Sequence, residues 1–401
     1  MFLLLLVVFV SCDRNPLPSP AKPDVIAKGD TARRTLLVYM MAENSLNDYA
    51  LTDVAEIKKA VPQISSDCRL FVYVDGCESP KLTQYYRLTD GKVGYTDMTL
   101  FANDVCSSDT AALGAVLDFI LDDYPTKSLD MVLWSHADGW LPDYARNSAP
   151  NRTIGVDNGK NTHSNLTKKA IEIAELAALL ERLPVKVDRL LFDACFMQCV
   201  EVAYTLRNAV QWVIASPAEI PGDGAPYEFV VKAFFDTDGA KCIMDGYKAA
   251  YDDGYMGVVL SAAYMPAMQR LADETYSNVC TYFNSNKKRD YLNVFAYLPG
   301  EKNGLYGPLP CYYDANAVMM GYLSDVDYAM WKAALDAALP YAVTTGSWYS
   351  SYLRKSEPVD LEKYSGISMY MPQSSSRYNS LNVAFSATEW YRAAGWSEAG
   401  W

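Results

Sequence analysis

Histidine is nearly missing from this chain: His136 and His163 are the two in 401 residues. The nine cysteines form no Cys-x-x-Cys pair. A zinc centre built from imidazoles and thiolates is thereby disfavoured. Nor are the cysteines dense in the manner of a small disulfide-stapled domain. Most read as small buried apolar residues, and their spacing leaves any pairing open. Positive charge is also scarce. Lys and Arg total 35 against 48 Asp and Glu, for a net charge of -13 and a pI near 4.7. That balance excludes a nucleic-acid partner, because phosphates call for basic surface. An acidic surface suits basic peptides, but it is equally a general solubility feature.

Long apolar runs are few. Phe2 to Val10 is continuously apolar, and nine residues are too few to cross a bilayer as a helix. The length fits the core of an export signal, although no Lys or Arg precedes it. Ser11-Cys12 follows at once, in the manner of a bacterial lipoprotein cleavage box, which would make Cys12 the lipid-bearing mature N-terminus. We take this reading over an ordinary cleaved signal: a signal peptide over 1–11 and a lipid-anchored protein of the bacterial cell envelope. Asp13 to Asp30 holds four prolines and little apolar content, so 12–34 is expected to be a flexible tether.

What the chain does have is alternation. Leu36–Met41, Leu70–Val74, Met131–Trp134, Val187–Phe192, Trp212–Ala215 and Val258–Leu260 read as buried strands. Helical patterns lie between them, over Leu46–Val61, with Asn44 and Ser45 as caps, and over Ala111–Asp122, Leu166–Leu183 and Phe196–Asn208. Strands buried on both faces and separated by helices predict an α/β fold with a parallel, doubly wound sheet. We expect this unit over 35–265. A C-terminal α/β region over 266–401 would pack on it, with a helix up to Phe283 and strand-like alternation over Tyr364–Pro372.

Ligands of such sheets bind beyond the carboxyl ends of the strands. His136 follows the third strand and Cys195 the fourth, so both are expected on one sheet edge. A Cys beside a His suggests a thiolate nucleophile with its acid or base. A helix starting at Phe196 would favour the thiolate through its dipole. The backbone N–H groups of Ala137 and Cys195 are the candidate oxyanion donors. His163 sits in a polar stretch and reads as a surface residue.

These residues resemble the clostripain family of cysteine peptidases, relatives of caspases, gingipains and legumains. That clan carries His-Gly after one strand and Ala-Cys after the next; here stand His136-Ala137 and Ala194-Cys195. Leu37–Leu46, Phe192–Met197, Glu201–Tyr204, Ala215–Gly224 and Ser365–Pro372 are similar to further family segments, in order. The resemblance implies a caspase-like three-layer αβα sandwich with a mostly parallel sheet. It implies an endopeptidase acting on polypeptides after Arg or Lys, with Asp193 and Asp223 lining the basic-residue pocket. Carboxylates there would hold a guanidinium through paired hydrogen bonds. Asp193 as a helix cap and Asp223 as a turn residue are the plainer readings. The family is often made as a zymogen that cuts itself between His and Cys. In the polar stretch 141–170 the candidate cut sites are Arg146, Arg152, Lys160, Lys168 and Lys169. No cofactor is expected; calcium is suggested by clostripain alone, and no EF-hand pattern occurs. Ala137 stands where the family has Gly, which strains the turn only if its φ is positive. The competing readings are an inactive peptidase-like surface lipoprotein used for binding and a helical glycan-binding envelope lipoprotein.

Overall fold

The computed structural model describes residues 21–76, 80–101, 103–141, 154–159, 170–252, 254–286, 291, 294–298, 311–351 and 353–401. Cys12, His163 and the five candidate cut sites lie outside them. The strands in chain order are β1 (Pro23–Asp24), β2 (Arg34–Met41), β3 (Cys68–Asp75), β4 (Lys81–Leu88), β5 (Val93–Met98), β6 (Leu129–Trp134), β7 (Val187–Asp193), β8 (Val210–Ala215), β9 (Val259–Tyr264), β10 (Tyr313–Asp314), β11 (Tyr341–Thr344), β12 (Ser347–Ser350), β13 (Lys355–Pro358) and β14 (Ser368–Met369). Ten of them form one mixed sheet, β1-β4-β3-β2-β6-β7-β8-β9-β11, with β5 on β4. Its centre, β3-β2-β6-β7-β8, is parallel; β4, β5, β9 and β11 join antiparallel.

The pattern of β2 shows why this sheet is central. Leu37, Tyr39 and Met41 point into one apolar core and Leu36, Val38 and Met40 into the other. All six side chains are fully buried. Burial of each such side chain is worth roughly 1.5–3 kcal/mol, so a run apolar at every position is stable only between two layers. One layer holds α1 (Asn47–Ala60), α5 (Tyr227–Phe234) and α6 (Gly239–Tyr251). The other holds α2 (Thr110–Asp123), α3 (Ile173–Glu181), α4 (Val200–Thr205) and α7 (Met268–Tyr282). Also on that side are α8 (Ala315–Tyr322), α9 (Asp325–Ala338), α10 (Asn379–Ser386) and α11 (Glu389–Ala393). The result is a three-layer αβα sandwich of the caspase-like kind.

Several expectations need correction. The tether expectation fails for 21–34: β1 pairs with β4, and Arg69, 1% exposed, donates to the carbonyls of Ala27, Asp30 and Pro125. Backbone pairing and a buried guanidinium hold that segment without needing apolar side chains of its own. The strand expected at Val258–Leu260 is β9, which runs antiparallel to β8. Residues 266–401 are not merely packed on the sheet, because β11 extends it. The helix expected from Phe196 is α4, which begins only at Val200. Residues 196–199 pair with neighbours instead: Phe196 N–H donates to Ala218 O, Gln198 N–H to Ser216 O and Ser368 N–H to Gln198 O. The helix expected from Leu166 begins at Ile173.

At the amino ends of β2, β6 and β7, buried Asp130 accepts from Arg34 and, through two bonds at 3.0 Å, from Arg189. This ion cluster fixes the strand starts. The strand ends are left for chemistry.

Candidate active site

β6 and β7 are parallel neighbours, with Trp134 in register with Asp193. His136 lies two residues past Trp134, and Cys195 two past Asp193. Neighbouring strands sit about 4.8 Å apart, so equal overhangs bring the two residues to one place on the sheet edge. Both are half-buried. His136 Nε2 lies 2.9 Å from Ser45 Oγ. The Cys195 thiol accepts from Ile220 N–H at 3.3 Å and points its own hydrogen toward Ile220 O at 4.0 Å. Among the described residues no hydrogen bond joins His136 to Cys195.

The electrostatics are those of a resting pair. Burial pushes the Cys195 thiol up to about 12; the Ile220 N–H works against that rise, and the Glu219, Asp138 and Asp193 charges add to it. The expected lowering by a helix dipole is absent, because α4 starts five residues on and has only six residues. Burial also lowers the His136 pKa, keeping the ring neutral at pH 7. Neutral thiol and neutral imidazole therefore coexist.

The turn after Cys195 is strained. Phe196 has φ 61°, one of two non-glycine residues with positive φ among those described. Such a conformation costs on the order of 1–3 kcal/mol and persists where surroundings impose it. Here Tyr312 stacks on the Phe196 ring at 4.5 Å, and Gly139 leaves no room for a Cβ against Phe196 O. Ala137 has no positive φ, so replacing Gly there adds no backbone strain. Neither the Ala137 nor the Cys195 amide donates a backbone hydrogen bond among the described residues.

Asp193 does not cap the following helix. Its Oδ2 accepts from Ala225 N–H and Tyr227 Oη and its Oδ1 from Tyr247 Oη, all at 3.0 Å. Burial raises its pKa, and those three donors oppose the rise. Gly224, at φ 60°, sits so close that a Cβ would lie 2.8 Å from Asp193 Oδ2. The carboxylate thus anchors the loop that carries Asp223, which is exposed. Two acids of α1 that the sequence analysis missed complete the cluster. Asp53 accepts from Trp134 Nε1 at 2.8 Å, and Glu56 from the Tyr227 amide at 3.0 Å. Burial, then the Asp193 charge, pushes Asp53 up to about 8, with Glu56 and Asp223 adding to it. A signal existed: Asp53 lies on the apolar stripe Ala50, Ile57, Ala60 of an amphipathic helix, where a carboxylate is out of place.

A cavity of about 290 Å³ lined by Trp140, Glu172, Glu201, Thr205 and Thr388 lies beside α4 and includes neither His136 nor Cys195. Cys68, Cys195, Cys199, Cys242 and Cys280 are free thiols.

This sheet, with a cysteine and a histidine at adjoining strand ends, defines a caspase-like α/β cysteine protease. The chain belongs to the clostripain family, whose family model matches residues 38–401. It is similar to a secreted C11 cysteine protease from Bacteroides thetaiotaomicron, solved with an irreversible peptide inhibitor. Identity there is 28% over 92% of this chain and 100% of that one, with a TM-score of 0.77. It is also similar to an inactive zymogen C11 protease from Parabacteroides distasonis, at 26% identity over 92% of this chain and 99% of that one, TM-score 0.75. A B. fragilis cysteine protease is 32% identical over 60% of this chain and 98% of that one, TM-score 0.52. No curated protein matches the chain.

Proposed function

We propose that this cysteine protease is an endopeptidase that cleaves after Arg or Lys, with Cys195 as nucleophile and His136 as acid and base. The thiol proton passes to His136, and Sγ bonds to the scissile carbonyl carbon. The Ala137 and Cys195 amides, which donate to no other carbonyl among the described residues, are suited to receive the oxyanion. The C–N bond breaks as His136 returns its proton to the leaving amine. A water deprotonated by His136 then hydrolyses the thioester and restores the thiol.

The specificity reading is carried by the acidic cluster Asp53, Glu56, Asp193 and Asp223. It sits under the loop whose Ile220 amide touches Cys195. Burial and the Asp193, Glu56 and Asp223 charges raise the Asp53 pKa, and a guanidinium or ammonium would relieve that repulsion. Asp223, the exposed member, makes the outer contact, and Asp193 holds its loop in place.

The same reading takes the resting pair as a precursor state, in keeping with the zymogen form of the Parabacteroides relative. Self-cleavage within 141–170 then converts it, with Arg146, Arg152, Lys160, Lys168 and Lys169 as the candidate positions. The protein is anchored through Cys12 in the bacterial cell envelope.

Hydrolysis of fluorogenic peptides ending in Arg, Lys or Asp, by wild type and Cys195→Ala, tests the proposal. Cleavage after Arg or Lys alone, lost in the variant, is expected, together with a two-piece wild type and an intact Cys195→Ala on a gel. Cleavage after Asp, or an identical rate in the variant, sinks it.

A further inference from the structure

One side of the acidic cluster is aromatic. Tyr49, Asp53 and Glu56 are spaced four and three residues apart on α1, so their side chains leave the same face of that helix. That face meets the loop 220–225. Gly222 lies so close to the Tyr49 ring that a Cβ there would come within 2.9 Å of Cζ and 3.1 Å of Cε1 and Oη. The φ of Gly222 is not positive, so the glycine serves this close approach and not a turn. Asp223 is the next residue. The tyrosines under the loop are committed to it: Tyr227 and Tyr247 donate to Asp193, and Tyr251 donates to Gly224 O at 2.7 Å. All three are buried. Tyr49 differs. It is 40% exposed, so much of its ring is open to a ligand beside the exposed carboxylate of Asp223.

We propose that Tyr49 is a specificity-determining residue of this pocket: its ring stacks on the charged head of the substrate side chain that Asp223 meets, and so favours Arg over Lys. The inference rests on the basic-residue reading above and goes one step further. A guanidinium is planar. Carboxylates hydrogen-bond to it in its plane while an aromatic face covers it from above, and the two contacts do not compete. It is also weakly hydrated, so covering one face displaces little bound water. An ammonium is a compact, strongly hydrated point charge. It pairs with a carboxylate but offers no flat face to a ring. The carboxylates of the cluster therefore select for charge, and the ring selects for shape. Gly222 keeps the ring against the loop, because any side chain there would push it away from Asp223.

The test compares fluorogenic peptides that are identical except for a final Arg or Lys, cleaved by the self-processed full chain. Wild type should favour Arg. Tyr49→Leu should cut the Arg-to-Lys ratio of kcat/KM by about three- to ten-fold, mostly through KM for Arg. Tyr49→Phe keeps the ring and should keep the ratio. Gly222→Ala, whose Cβ displaces the ring, should lower the ratio as Tyr49→Leu does. Alkylation of Cys195 by iodoacetamide, which needs no side-chain pocket, should proceed in Tyr49→Leu as in wild type, separating lost stacking from a damaged nucleophile. The same ratio is read without turnover from the affinities of full chains carrying Cys195→Ala, with and without Tyr49→Leu, for peptides whose last residue is Arg or Lys. A wild type that favours Lys, a ratio that Tyr49→Leu leaves unchanged, or a loss shared equally by both peptides overturns the role of Tyr49 and leaves the basic-residue reading standing. A wild type that cleaves neither peptide, with a Cys195→Ala chain that binds neither, overturns that reading and this inference with it.

Discussion

Asp53 offers the sharpest quantitative test of the acidic cluster. Its pKa rises from 3.8 to about 8, with burial the largest cause and Asp193 the next. An unfolded Asp titrates near 3.9. Between those values the folded protein holds one proton more than the unfolded chain. Stability must therefore fall as pH rises through that window, by about 1.4 kcal/mol per pH unit for this group. From pH 5 to pH 8 that is about 4 kcal/mol. Asp53→Asn removes the titration but keeps an oxygen acceptor for Trp134 Nε1, 2.8 Å away. Asp75, also near 8, and Glu201, near 7, contribute slopes of the same sign. The measurement is consequently a difference: denaturant unfolding of Cys195→Ala with and without Asp53→Asn, every half unit from pH 5 to pH 8. The variant's advantage should grow with pH and approach about 4 kcal/mol at the upper end. The same substitution should raise KM for Arg substrates at pH 8, because one negative charge is lost from the cluster. Parallel stability curves would refute the argument, since they would mean Asp53 is ionised throughout.

Asp130→Asn should destabilise the protein by about 3–5 kcal/mol, because it removes both charge-assisted bonds to buried Arg189 and leaves only the half-buried Asp188, 3.8 Å away, as its counter-charge. A fall in Tm with unchanged KM in the surviving folded fraction is expected. Gly224→Ala should cost on the order of 1–3 kcal/mol, as its φ is 60° and the new Cβ meets Asp193 Oδ2. Raised KM for basic substrates should accompany the loss of stability, and an unaffected Tm would contradict the close approach. Ser45→Ala frees His136 Nε2, so alkylation of Cys195 by an Arg- or Lys-directed reagent should proceed at least as fast as in wild type. A many-fold slower reaction would show that the Ser45 contact assists His136 and does not park it.

The central strands were legible because parallel strands buried on both faces must be apolar throughout, as Leu36–Met41 and Val187–Phe192 are. The positions of His136 and Cys195 followed from the same logic, since strand ends are where chemistry collects. Less legible was the β4–β5 hairpin. Its outward residues are polar, although Leu82 and Gln84–Tyr86 with Asp90-Gly91 after them carry the period and turn of such an element. The edge strand β11 is half-exposed and four residues long, too short to stand out from the surrounding helix ends. A helix was expected at Phe196 because apolar content continues there, but a left-handed residue and pairing to Ser216 and Ser368 keep the chain extended. The Ser45–His136 contact spans 91 residues of sequence. No local pattern encodes it.

If the chain cuts itself as proposed, the segment 154–159 has a bearing on how many cuts it survives. It lies between two groups of candidate sites, Arg146 and Arg152 before it and Lys160, Lys168 and Lys169 after it. One cleavage leaves it covalently joined on the other side. Two leave a peptide of 8 to 23 residues, depending on which pair is cut, retained by non-covalent contacts alone. Those contacts include Ile154 with Ile171, Gly155 to His136, Val156 with Ser135 and Asn44, Asp157 to Ser107 and Asn158 to Glu43. Loss of that fragment would strip the histidine loop of a backbone partner. Activation and inactivation would then be the first and second strokes of the same scissors, and the enzyme's working lifetime would be set by the interval between them.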